Sequence, residues 1–316
     1  MRSYLFVPLF FVALVALADE PKSTAPTITD TAGKEVTPKK WKVSYGLKKL
    51  TWAEGKPEVF EMRELHSTTF KDGILTYIPT TRLQRLAYDY EKDSVEAFVA
   101  GVDKPLLGST RFKDINNIVI EAEIDQGAAG VVELRFRGGL AKGGIRGVKF
   151  PDAKAPEKAP ELGQLYSFTV PPEGKGKTGP TIQTAHKIQA LYRLPSGEEK
   201  LVDYLMFKKT LKVELSNILK MNFGEYNVKD ATSECELKMK DGSDLSVTLL
   251  TTITLNDKQA KLIGFVGAVP AGYRLFPVHT ITEMQPGEVK LPEEKIEPKK
   301  VEPKKVEPKK EKPKDN

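Results

Sequence analysis

Cysteine is almost absent: Cys235 is the only one in 316 residues, so no internal disulfide can form. The fold must therefore rest on its hydrophobic core. Cys235 alternates in phase with Leu237 and Met239, which predicts a buried thiol behaving as a small apolar side chain. Histidine is equally scarce. His66, His186 and His279 stand far apart in the chain, none with a second His or Cys at ligand spacing. That excludes the common zinc patterns and leaves cysteine–histidine catalysis little material. His279, within Phe276-Pro-Val-His-Thr-Ile281, reads as a structural histidine on a strand.

The motifs of nucleotide, metal and hydrolase chemistry are missing too. Neither Gly-x-Ser-x-Gly nor His-Glu-x-x-His occurs. The segment 174–178 contains Gly-Lys-Thr, but Pro171 stands where a phosphate loop needs its first glycine. The glycine-rich run 138–147 does not follow dinucleotide spacing and is more simply a set of turn or bulge positions. Arg146 within it is a candidate to hold an anion together with backbone N–H groups. Asp241-Gly-Ser-Asp244 lacks the alternating oxygen ligands and closing Glu of a calcium loop. No cofactor or metal is expected.

No apolar run is long enough to span a bilayer. Tyr4 to Leu17 comes nearest, but behind Arg2 and ahead of Ala16-Leu17-Ala18 it reads as a cleavable signal peptide over residues 1–18. The mature chain is expected to begin near Asp19, to be exported (periplasmic, cell-surface or secreted) and to carry no transmembrane segment. The cleavage site has no Cys, so no diacylglyceryl anchor is expected.

Basic charge is present but unevenly placed. Of the net +6, Arg2 supplies one, and residues 295–316 hold nine Lys against five acids, which leaves +1 for residues 19–294. A body so nearly neutral argues against nucleic acid as a partner. The tail repeats Lys-Ile-Glu-Pro-Lys, Lys-Val-Glu-Pro-Lys and Lys-Val-Glu-Pro-Lys from Lys295. A proline every five residues forbids helix and sheet and favours polyproline II, which could extend the tail to about 65–70 Å.

What remains is a β pattern. Residues 19–40 are rich in Pro, Thr, Lys and Ala and read as a disordered leader. Short alternating runs then fill 41–150: Val59–Leu65, Ile74–Ile78, a hairpin of Tyr88–Tyr90 and Val95–Val99, then Asn117–Glu123 and Val131–Arg137. Asp72-Gly73 is a turn signal, and Pro79 to Leu86 suits one helical turn. Residues 151–163 form a Pro/Ala/Lys linker, and a second β-rich stretch fills 164–291. There Glu236–Lys240 and Leu245–Leu250 flank Asp241-Gly242, a hairpin signal of the type I′ kind. Leu211, Leu215, Ile218 and Leu219 allow either a short amphipathic helix or a strand followed by a helical turn. Residues 292–316 are the disordered tail.

The expected architecture is mostly β: two small antiparallel β-roll or barrel domains in tandem, with disordered termini; one continuous sandwich is the alternative. The two halves share an aromatic–glycine element, Phe136-Arg-Gly138 with Gly144-Ile-Arg146 against Phe265-Val-Gly267 with Gly272-Tyr-Arg274. Divergent duplication is one reading of that likeness.

The most suggestive polar patch is Tyr88-Asp89-Tyr90-Glu91. Aromatics beside carboxylates can bind carbohydrate, and a carboxylate pair can hydrolyse a glycoside. The plainer reading is a strand with acids on its solvated face. Val131 to Arg137 reads with Val132, Leu134 and Phe136 inward and Glu133, Arg135 and Arg137 outward. The candidate ligand surface is therefore Tyr88, Asp89, Tyr90, Glu91, Arg135, Arg137 and Arg146.

The phrases Arg63-Glu-Leu-His-Ser-Thr-Thr69, Gly73-Ile-Leu-Thr-Tyr77, Tyr88-Asp-Tyr-Glu-Lys92, Leu205-Met-Phe-Lys-Lys-Thr210 and Val269-Pro-Ala-Gly-Tyr-Arg-Leu-Phe-Pro277 resemble an uncharacterised exported protein family of planctomycete-type bacteria. The resemblance spans nearly all of 41–288 and implies an exported, two-part β protein, with no activity or site attached.

Three functions follow. The first is a non-catalytic cell-envelope protein whose tandem β-modules bind or scaffold an envelope polymer or protein. Its tail would serve as a spacer or as a tether to an anionic wall or lipid surface. The second is a self-assembling envelope subunit pairing through sheet edges, and the third a secreted carbohydrate-active hydrolase using carboxylates such as Asp89 and Glu91.

Overall fold

A computed structural model of the chain describes residues 25–45, 47–50, 60–66, 74–110, 119–138, 144–157, 162–171, 180–227 and 229–289. The expected signal peptide (1–18), the start of the expected leader, the Asp72-Gly73 turn signal, residues 158–161 of the expected linker and the expected tail (292–316) lie outside them. The protein is mostly β, in two large sheets. Among the described residues no helix is long and apolar enough to cross a membrane.

The chain opens in the first sheet, A, with β1 (Thr27–Asp30), β2 (Glu35–Val36) and β3 (Lys40–Tyr45). It crosses to the second, B, for β4 (Leu47–Leu50), β5 (Phe60–His66) and β6 (Leu75–Pro79). It returns to A for β7 (Leu83–Asp89), β8 (Ser94–Val99), β9 (Leu106–Ser109), β10 (Val119–Asp125), β11 (Val131–Gly138) and β12 (Gly144–Lys149). Beyond residues 151–163 it stays in B. There it forms β13 (Leu165–Val170), β14 (Thr181–Arg193), β15 (Glu199–Val202), β16 (Tyr204–Phe207), β17 (Leu211–Glu214) and β18 (Ile218–Asn227). The remaining strands are β19 (Thr232–Met239), β20 (Asp244–Leu250), β21 (Thr252–Leu255), β22 (Lys258–Val269), β23 (Gly272–Pro277) and β24 (Glu283–Pro286).

Sheet A runs β3-β10-β11-β12-β7-β8-β9, with β1 on β12 and β2 on β1. Sheet B runs β17-β16-β20-β19-β18-β24-β13-β14-β22-β23-β6-β5-β4, with β15 on β14 and β21 on β22. The linker is thus one of three crossings between sheets, and β6, from before the linker, pairs with β23, from after it, at Tyr77↔Tyr273 and Thr76↔Arg274. Arg82 clasps the same junction, its Nη2 donating to the carbonyls of Ala100 (2.9 Å) and Pro270 (2.8 Å). The linker itself is docked where it is described, Lys154 N–H reaching the Thr81 carbonyl at 3.0 Å.

One continuous cluster of buried side chains runs through both sheets, from Ile28, Leu86 and Val148 in A to Phe168, Phe265 and Phe276 in B. The rings of Phe168 and Phe276 stack at 4.0 Å. Each such ring removed from water contributes on the order of 1.5–3 kcal/mol by transfer alone. Gly272 shows how tightly the shared seam closes: at φ +150°, a Cβ there would stand 2.1 Å from the Tyr77 carbonyl oxygen. Only glycine fits that approach of β23 to β6.

Several sequence expectations are corrected. The disordered leader 19–40 ends early, because β1 pairs with β12 and Ile28 is fully buried. Two apolar residues, Ile28 and Val36, suffice there, and Asp30 Oδ1 closes the turn by accepting the N–H groups of Ala32 (2.9 Å) and Lys34 (2.8 Å). The helical turn at Pro79 is a 3₁₀ turn of three residues, Thr80–Arg82, after which Leu83 and Leu86 belong to β7. Of the two readings of Leu211 to Leu219, the strand followed by a helical turn holds: β17 leads into a 3₁₀ turn at Leu215–Asn217, and β18 follows. His279 sits exposed on the 3₁₀ turn Val278–Thr280 rather than on a strand.

The β19–β20 hairpin forms as expected, but not through a type I′ turn. Met239 N–H bonds the Ser243 carbonyl at 2.9 Å and Gly242 alone has positive φ, at +87°, so the loop is of three residues with glycine in the left-handed position. Duplication is not confirmed. β11 and β12, which carry the first aromatic–glycine element, run parallel, whereas β22 and β23, which carry the second, run antiparallel.

Candidate functional site

The pairing of β1, β12, β7 and β8 stacks side chains in transverse rows. Ile28, Val148, Leu86 and Ala97 form a fully buried inner row. Because side chains alternate, the neighbouring rows Thr29–Gly147–Ala87–Glu96 and Thr27–Lys149–Arg85–Phe98 face outward. Gly147 and Ala87 have almost no side chain, so the outer face sinks there into a groove of about 520 Å³. Its rim is charged: Arg85, Lys92, Arg146 and Lys149 against Glu35, Asp89 and Glu96.

Most of that charge is engaged. Lys149 pairs with Glu35 at 3.6 Å, Lys92 with Asp89 at 2.9 Å, and the Arg85 guanidinium lies 3.9 Å over the Phe98 ring. Arg146 is exposed, and among the described residues it makes no ion pair or hydrogen bond. It also lines a second groove of about 320 Å³, shared with Thr31, Tyr88, Asp89, Tyr90 and Glu91. The two grooves meet at Arg146.

The structure therefore brings together five of the seven residues singled out from sequence: Tyr88, Asp89, Tyr90, Glu91 and Arg146. Their roles differ. Tyr88 is only 5% exposed and stacks on Tyr90 at 5.7 Å with nearly parallel rings. Tyr90 donates its hydroxyl to the Ile145 carbonyl at 2.6 Å, which ties the β7–β8 turn to β12 beside Arg146. Asp89 shapes that turn: its Oδ1 accepts the Lys92 N–H at 3.1 Å. The hydrogen bond and charge of Lys92 hold the Asp89 carboxyl below the ordinary carboxylate pKa. Glu91 is exposed at the groove mouth.

Arg135 and Arg137 lie elsewhere. On β11, Arg135 stands 3.7 Å from Glu121 and lines a third groove, of about 450 Å³, between β3, β10 and β11. Arg137 sits beside Gly144 on β12 and lines none of these grooves. The inward reading of Val132, Leu134 and Phe136 holds in direction but not in depth. Phe136 is buried, while Leu134 is 37% exposed and shares its row with Ala122 and the 41% exposed Trp41.

Among the described residues, the carboxyls with displaced pKa values, Asp89, Asp125, Glu198 and Asp241, are all displaced downward by hydrogen bonds in exposed turns or pairs. A general acid needs the opposite displacement. Cys235, as expected, is 3% exposed, and burial raises its thiol pKa to about 11, so it stays protonated and inert. Among the described residues no group of three or more His, Cys, Asp or Glu is placed to hold a metal ion.

The residues that sequence reasoning missed, Arg85, Lys149 and Glu35, come from β7, β12 and β2. Arg85 alternating with Ala87 and Asp89 was a weak signal for an outward face. Nothing local places Lys149 or Glu35 beside it. No protein-family model, curated protein or solved structure matches the chain.

Proposed function

We propose that the protein is a non-catalytic, exported cell-envelope protein that holds an anionic envelope polymer or protein in the grooves of sheet A, with its Lys-Glu-Pro tail as spacer or electrostatic tether. The observation that carries this reading is Arg146, an exposed cation unpaired among the described residues, where two open grooves meet. Shallow grooves with charged rims across several strands suit an extended polar chain. Enclosed small-molecule sites are deeper and more apolar. The signal sequence supports export, and the excess of Lys in the tail supports a salt-sensitive hold on an anionic surface.

The hydrolase reading has less support, since Asp89 is committed to a turn and kept ionised by Lys92. The assembly reading draws on the half-exposed Trp41 and Leu134 near the β3 edge of sheet A. Light scattering that stays monomeric at high concentration would remove it.

Co-sedimentation on isolated envelopes tests the main reading. The mature chain is expected to bind, to lose part of that binding when residues 292–316 are deleted, and to lose the tail-independent remainder with Arg146→Glu; raised salt should weaken both parts. Binding that needs only the tail, or none at all, would overturn the groove as the receptor.

A further inference from the structure

Sheet B holds a cation with no counter-charge among the described residues. Arg274 lies in the middle of β23, opposite Gly267 of β22 and Thr76 of β6. Alternation puts it on the same face as Phe276, whose ring packs on Phe168 in the core. Gly267 has no side chain to block the way, and Arg274 extends to β14, where Nη1 donates to Gln183 Oε1 (3.2 Å) and the Thr184 carbonyl (3.3 Å). Both acceptors are neutral and both bonds long.

The other edge of the guanidinium is different. Nε is buried with no acceptor, and Nη2 has none either among the described residues. No carboxylate pairs with Arg274 among them. On β14, Thr181 is two residues from Gln183 and on the same face, and its hydroxyl is likewise buried without a partner. Arginine cannot shed its proton to escape such a site, and an uncompensated buried cation is strongly unfavourable. The Nε/Nη2 edge is the fork that takes two oxygens of a carboxylate or phosphate side by side. Arg274 as a residue keeps partial exposure, while Nε and the Thr181 hydroxyl are closed off, so an oxyanion enters the fork only where the side chains covering them move aside.

We propose that Arg274 is the receptor for a single oxyanionic group, bound bidentately by Nε and Nη2, with the Thr181 hydroxyl as a second donor. The site lies in sheet B, apart from the grooves of sheet A, and stands or falls independently of them.

The test uses the full mature chain, labelled with ¹⁵N in arginine, titrated with potassium phosphate and with potassium acetate against potassium chloride at matched ionic strength. The expected result is one Nε–H resonance that shifts saturably with phosphate or acetate and not with chloride. The thermal midpoint should rise along the same curve. Response to phosphate alone marks a phosphoryl ligand; response to both marks any bidentate oxyanion. Arg274→Gln should abolish the responding resonance and the saturable rise. Should that variant fail to fold, Thr181→Val should still weaken the apparent affinity several-fold. No moving Nε resonance, or a rise in midpoint that is linear in salt as for general ion exclusion, would overturn the proposal.

Discussion

The ribbons β10–β11 and β22–β23 are built on the same alternating pattern, yet one is half open and the other closed. In β22–β23, Phe265 and Phe276 are fully buried and pack with Phe168 in the common core. Across β10–β11 and the neighbouring β3, the row Trp41–Ala122–Leu134 has the same apolar character, but Trp41 and Leu134 keep about two-fifths of their surface. Alternation decides which face a side chain takes. Whether anything covers that face depends on side chains that arrive from elsewhere, as Phe168 of β13 does against Phe265 of β22 and Phe276 of β23. The closed ribbon belongs to the packed interior, and the open row of sheet A leaves apolar surface in contact with water.

Core truncation should separate the two regions most sharply. Phe276→Ala is expected to cost about 3–5 kcal/mol in denaturant unfolding, since it removes a stacked ring from a packed interior. A loss under about 1 kcal/mol would mean that sheet B is not the closed element described here.

Alkaline pH gives the next effect. Burial sets the Cys235 thiol at about 11 against an ordinary 9.0, so the unfolded chain releases its proton first. That contribution is whole below pH 9 and is lost as pH rises to about 11, a decline of up to about 2–3 kcal/mol. Unfolding across that window should be flatter by this amount in Cys235→Ala. Parallel slopes in the two proteins would show an exposed thiol.

Leu134→Ser should have the smallest effect, within about 0.5 kcal/mol, because water already reaches the side chain. A cost near that of Phe276→Ala would close the comparison by showing sheet A equally packed.

Much of this fold was legible in local pattern. Tyr88–Val99 and Glu236–Leu250 announced their hairpins, and Cys235 its burial, because their partners are neighbours in the chain. What could not be read were long-range pairings: Ile28 with Val148, Tyr77 with Tyr273. The first turns a supposed leader into a core strand, and the second carries sheet B across the linker. The candidate site divides in the same way. Tyr88 to Glu91 and Arg146 were visible as residue types. Their meeting depends on β12 lying against β7, and the floor of the groove on the smallness of Gly147 and Ala87, which no motif marks.

Hydrogen–deuterium exchange of the mature chain with and without isolated envelopes tests the central claim most directly. Protection is expected only in β1, β7, β8 and β12 of sheet A, weakened by Arg146→Glu, with sheet B unchanged. Protection only in sheet B, or undiminished in the Arg146 variant, would contradict it.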